Sequence, residues 1–99
     1  MGAFISDIKS KQLSASGTVF GGRSRIKAIY VVPSATAGTL VIKDGGSSGT
    51  AVITLNTPAV QSGQNANPIY VVLPVDGVLC ETSSYATLTD VAYATVFYG

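Results

Sequence analysis

"RIKAIYVV", Arg25 to Val32, changes character halfway along its length. Arg25, Ile26, Lys27 and Ala28 alternate polar with apolar, as a strand with one wet face does. Ile29, Tyr30, Val31 and Val32 are apolar on both faces, so one side of this strand needs a cover beyond its own core. The demand is made twice, because "IYVV" recurs at Ile69 to Val72 in a chain of 99 residues.

Working outward from this stretch, no window sustains the helical period of 3.6 residues with capping signals. Val, Ile, Thr and Tyr dominate the apolar runs instead. Strands are predicted near Ala3 to Ile8, Gln12 to Phe20, Arg25 to Val32, Thr39 to Lys43 and Thr50 to Asn56. Four more follow, near Pro68 to Leu73, Gly77 to Glu81, Tyr85 to Thr89 and Ala92 to Tyr98. Between them, Gly21-Gly22, "PSATAG" (Pro33 to Gly38), "DGGSSG" (Asp44 to Gly49), "QSGQNANP" (Gln61 to Pro68) and "VDG" (Val75 to Gly77) are turn or loop sequences. Eight or nine short strands at roughly ten-residue spacing predict an all-β fold, an antiparallel β-sandwich of jelly-roll-like form. Residues 17–99 make up the sandwich domain; residues 1–16 are an N-terminal segment, either an extended arm or an edge strand. Alternation assigns Ile26, Ala28, Leu40, Ile42, Ile53, Leu55, Val71, Leu73, Leu88 and Val96 to the interior, with one residue of each Val or Tyr pair in the two "IYVV" strands.

The composition is short of charge. Charged residues are 11% of the chain, against about 25% in ordinary soluble domains. Six lysines and arginines face five aspartates and glutamates, and 46% of the residues are apolar. A surface so poorly supplied with charge associates, which points to permanent partners. The cations fall in the first half: Lys9, Lys11, Arg23, Arg25, Lys27 and Lys43 against Asp7 leave +5 up to Lys43, and Asp44, Asp76, Glu81 and Asp90 leave −4 beyond it. The single cysteine, Cys80, has no partner for an intramolecular disulfide, which fits an intracellular origin. Met1 to Phe4 begin no signal peptide, and no apolar run approaches the length of a membrane span.

There is no histidine, the commonest general base and metal ligand. Asp44, Asp76, Glu81 and Asp90 sit beside turn glycines or at strand ends, where local backbone hydrogen bonding explains them. "KDGGSSG" lacks the ligand spacing of a calcium loop, and "GTVFGGRSR" lacks the lysine and following helix of a phosphate loop. Cys80 alternates within a strand as a small buried hydrophobe would. No enzyme activity, cofactor or metal is expected. Arg23, Arg25 and Lys27 at i, i+2 and i+4 project from one strand face at about 6.8 Å intervals, and Lys9 with Lys11 repeats the spacing. These five are candidate contacts for an acidic partner surface, the plain alternative being a solvated face that discourages edge pairing. Nucleic acid is disfavoured by a net charge of +1 and by the lack of a stacking platform among the cations. Tyr30, Tyr70, Tyr93, Phe97 and Tyr98 are candidate oligomer contacts. In the terminal "YATVFYG", Tyr93 and Phe97 share one face, and Val96 and Tyr98 the other.

"GGRSRIKAIYVVPSATAGTLVIKDGGSSGTAVITLNTP" (Gly21 to Pro58) and "NPIYVVLPVDGVLCETSSYATLTDVAYATVFYG" (Asn67 to Gly99) resemble small virion structural proteins of tailed bacteriophages, especially those infecting cyanobacteria. The shared pattern is a basic strand leading to "IYVV", a "TAG" loop, a strand ending in "DGGSSGT", "LPVDGVL", and a terminal "ATVFYG" strand. The resemblance spans residues 17–99 and leaves residues 1–16 outside it. It implies a non-enzymatic capsid decoration or cement protein that binds the major capsid protein. It also implies self-association, with trimers where capsid hexamers meet, manufacture in the host cytoplasm and residence on the capsid surface. A tail, neck or fibre component and a carbohydrate-binding β-sandwich module are the competing expectations.

Overall fold

The computed structural model describes residues 8–59, 68–73 and 77–99. Among these are nine strands and no helix: β1 Lys9–Leu13, β2 Gly17–Phe20, β3 Ser24–Pro33, β4 Gly38–Asp44, β5 Thr50–Thr57, β6 Ile69–Val72, β7 Val78–Cys80, β8 Ser84–Thr89 and β9 Val91–Tyr98. They form two antiparallel sheets packed as a sandwich. The first has the order β1-β9-β3-β6, with β7 also paired to β3; the second has the order β2-β8-β4-β5.

The strand expected over Gln12 to Phe20 is two strands in different sheets. Ser14 to Ser16 carry the chain from β1 on the first sheet to β2 on the second. Small polar residues let the backbone leave one ladder before joining the other. Ser16 anchors the crossing on β8, its hydroxyl accepting from the Leu88 amide at 2.9 Å and donating to the Leu88 carbonyl at 3.4 Å. The strand expected over Ala3 to Ile8 lies outside the described residues except for Ile8, which precedes β1. Within residues 1–16, Lys9–Leu13 is an edge strand whose five residues pair with β9, from Lys9 opposite Tyr98 to Leu13 opposite Ala94.

β3 explains the change of character in "RIKAIYVV". Its pairing with β9 shifts between Ile26, opposite Tyr98, and Ala28, opposite Phe97. A bulge there inserts one residue and reverses which parity faces inward. Ser24 and Ile26 point to the core before it; Ile29, Val31 and Pro33 do so after it, all five buried. Ala28, expected in the interior, is buried, but its parity after the bulge is outward. It stands outside the core cluster, on the outer face with its register partner Phe97.

The opposite edge of β3 is shared. Its N-terminal half pairs with β7, Ser24 to Cys80 through Ile26 to Val78, and its C-terminal half with β6, Ala28 to Val72 through Val31 to Ile69. β6 and β7 thus share one edge of β3, and the Lys27 carbonyl accepts the Leu73 amide at 3.0 Å. Gly77, at φ +84°, lies so near β3 that a Cβ would overlap the Ile26 carbonyl oxygen.

Ile26, Ile29 and Val96 from the first sheet meet Leu40 and Ile42 from the second, all of them at 0% exposure. Each such side chain contributes about 1.5–3 kcal/mol on leaving water.

Candidate functional site

Register across the first sheet sets its outer face out in rows. Gln12, Thr95, Tyr30 and Tyr70 form one row; Ser10, Phe97, Ala28 and Val72 form the next; Val32 and Tyr93 extend a third. Tyr30, Tyr70, Val72 and Tyr93 are 39%, 60%, 66% and 46% exposed, with Phe97 and Val32 half-buried among them. Tyr70 and Phe97 meet edge to face at 6.5 Å between ring centres. Ala28 lies in register between Phe97 and Val72. This is a contiguous apolar surface, and in an isolated chain nothing among the described residues covers it.

Four of the five residues expected to form an oligomer contact, Tyr30, Tyr70, Tyr93 and Phe97, therefore share this one face. Tyr98 is a correction: in register with Ile26 it turns inward, packs against the core and lies over Phe20 with ring centres 5.2 Å apart. As the last strand residue on the inward parity, it closes the end of the sandwich.

The cations divide. Arg25 and Lys27, half-buried, alternate with inward Ser24 and Ile26 and so lie on the outer face, beyond the aromatic rows. Arg23 is exposed in the bend before β3 rather than in the strand, so the three do not form the single strand-face stripe expected. Lys9 and Lys11, exposed on β1, are in register with Tyr98 and Val96 and take the opposite parity, at an edge. The bend before β3 and the register of β1 on β9 produce this division.

The second sheet's outer face is different in kind. Thr89, Thr39 and Asn56 form one row, Thr87, Val41 and Thr54 the next, and Tyr85 with Lys43 a third. Hydroxyl groups hydrate this side in place of charge, so the molecule has one wet face and one apolar face. The alternation of threonine with apolar residues in "TLVIK", "ITLN" and "ATLT" carried that signal in the sequence.

Asp44 caps the turn between β7 and β8. Its carboxylate accepts the amides of Thr82 at 2.9 Å, Glu81 at 3.0 Å and Ser83 at 3.3 Å. Those hydrogen bonds, from Thr82 foremost, hold its pKa below the ordinary 3.8. Buried Cys80, next to that turn, has its thiol pushed up to about 11, chiefly by burial and secondarily by the Asp44 charge. Among the described residues no three carboxylate or thiol groups come together, and no helix is long and apolar enough to cross a membrane.

In comparisons with known proteins, no family model, no curated protein and no solved structure matches the chain.

Proposed function

We propose that the protein is a non-enzymatic structural component of a bacteriophage virion, a capsid decoration or cement protein that binds the major capsid protein and its own siblings and stabilises the head. The observation that carries the reading is the exposed Tyr30, Tyr70, Val72 and Tyr93 surface on a chain with only 11% charged residues. Such a surface favours permanent assembly over a solitary life in water. The strand order supports the jelly-roll form of the sandwich. With β6 and β7 counted as one interrupted strand, eight strands divide into two sheets of four whose members are interleaved along the chain.

In this reading the aromatic face associates the copies. Arg25 and Lys27 at its end, Arg23 beside them, and Lys9 with Lys11 along the β1 edge meet acidic surface on the major capsid protein. Each contact is weak, and repetition over a symmetric shell makes them hold together. The trimeric state and the capsid-surface location rest on the resemblance to phage virion proteins. Cryo-microscopy of the particle tests the location; density on the tail in place of the shell overturns the decoration role. Binding of purified chain to undecorated heads tests the cations. The Arg25→Ala, Lys27→Ala double variant is expected to lose occupancy as salt rises, and unchanged occupancy makes those residues solvated surface only.

The row Gln12, Thr95, Tyr30 and Tyr70 favours a second reading, a carbohydrate-binding module, because it sets aromatic rings beside an amide and a hydroxyl. Binding of the isolated chain on a glycan array, abolished by Tyr70→Ala, supports that reading against the first.

A further inference from the structure

The aromatic face is large enough to need a cover and too small to be half of a stable dimer. Its three rows span about 14 Å along the strands and about 10 Å across β9, β3 and β6. The exposed parts of Tyr30, Tyr70, Val72 and Tyr93 amount to roughly 400 Å², against about 800 Å² per partner in a stable pairwise interface. A face of that size suits one short apolar segment better than another sheet.

Such a segment precedes β1. Ile8 is 55% exposed, and residues 1–7 before it read "MGAFISD", with Phe4 and Ile5 at their centre. β1 enters its sheet at Lys9 and runs toward the rows, Ser10 lying in the row of Phe97 and Gln12 in that of Tyr30 and Tyr70. A straight continuation before Ile8 therefore leads away from them. In extended form it sets Phe4 on the outward parity of Ile8, Ser10 and Gln12, about 13 Å beyond Ile8 and clear of its own rows. Returning to those rows requires a reversal of direction, and no glycine or proline stands between Ala3 and Ile8 to make one.

We propose, on the reading that this face associates the copies, that residues 1–7 of one copy lie across the aromatic face of another, with Phe4 seated on Phe97, Val72 and Tyr70. Phe4 so seated places Asp7 about 10 Å away. That is the end of the face where Lys27 stands with Arg25, which pairs with Gly99 two residues past Phe97. The only carboxylate before Asp44 is thereby set beside two cations, so the segment matches the face in charge as well as in apolarity. Each copy gives one segment and receives one, an exchange that closes in a pair or in a ring.

Cross-linking of the full chain tests it. Phe4→Cys chains under mild oxidation are expected to link to Val72→Cys chains at least about tenfold faster than to Thr54→Cys chains, whose cysteine is exposed on the outer face of the second sheet. Cys80, buried, stays unlinked in each. Equal rates overturn the proposal. Phe4→Cys and Val72→Cys in a single chain should likewise link between copies; a disulfide closed within one chain overturns the exchange, the segment then covering its own face. Phe4→Ser with Ile5→Ser, ahead of β1, should leave the thermal midpoint in place and raise the dissociation constant measured by sedimentation about tenfold. Association kept by that pair but lost on Tyr70→Ser overturns the exchange while leaving the aromatic-face reading standing. A wild-type monomer at ~100 μM overturns both.

Discussion

Asp44 ends β4 with its carboxylate aimed at three consecutive amides of a turn 37 to 39 residues further along the chain. Because folding lowers its pKa, the unfolded chain takes up the proton more readily. Its contribution to stability is therefore complete above the ordinary value of 3.8 and is lost as pH falls through the lower folded value. Urea unfolding followed from pH 7 downward should show wild type more stable than Asp44→Asn at neutral pH, with the difference closing below 3.8. A gap that persists there assigns the effect to something other than charge. Ser24 is the opposite case: its hydroxyl is buried with no hydrogen-bond partner among the described residues. Removing a buried, unpaired polar atom relieves desolvation, so Ser24→Ala should leave stability unchanged or raise it by up to about 1 kcal/mol, read from the urea midpoint at constant slope. A loss larger than that means the hydroxyl is bonded. "DGG" marked Asp44 as a turn residue, but nothing local encodes which distant amides it holds.

At the scale of elements, strand identity was legible and strand phase was not. Val, Ile, Thr and Tyr runs between Gly-rich turns marked β3, β4, β5, β8 and β9 to within a residue or two. Alternation failed at two places, each for a physical reason. A bulge leaves the propensity of Ile26 to Ala28 unchanged while reversing its facing, so Ala28 changed sides. The crossover at Ser14 to Ser16 is only three residues long and carries no proline, so Gln12 to Phe20 read as one strand. The apolar spacing of three between Ile26 and Ile29 was the trace left by the bulge. Opposite it, Gly77 approaches β3 with a backbone only glycine adopts freely. Gly77→Ala should cost at least about 2 kcal/mol, from the positive φ together with the overlap at the Ile26 carbonyl. Gly21→Ala, where a Cβ meets nothing, should stay within about 0.5 kcal/mol. Thermal or urea unfolding of the pair separates a local backbone requirement from a general cost of removing glycine.

The whole molecule has two outer faces of opposite character, and they make opposite demands on solvent. Four aromatic members of the apolar face were legible in the sequence because tyrosine and valine recur on both parities of "IYVV" and "YATVFYG". Their union into one surface came from strand order, which no local pattern carries. If that surface associates the copies, its response to salt differs from that of an ionic contact. Sulfate, excluded from apolar surface, should strengthen the association, and sodium chloride should leave it nearly unchanged. A contact made by Arg25, Lys27, Lys9 or Lys11 should instead weaken steadily as sodium chloride rises. Light scattering on the full chain follows the behaviour of the first sheet. There, Tyr70→Ser with Val72→Thr should lower the associated fraction by about tenfold in apparent affinity. Because both side chains are more than half exposed, the thermal midpoint should scarcely move. Association that survives this pair and dissolves in sodium chloride transfers the role to the cations; association that survives both conditions removes the first sheet from the assembly altogether.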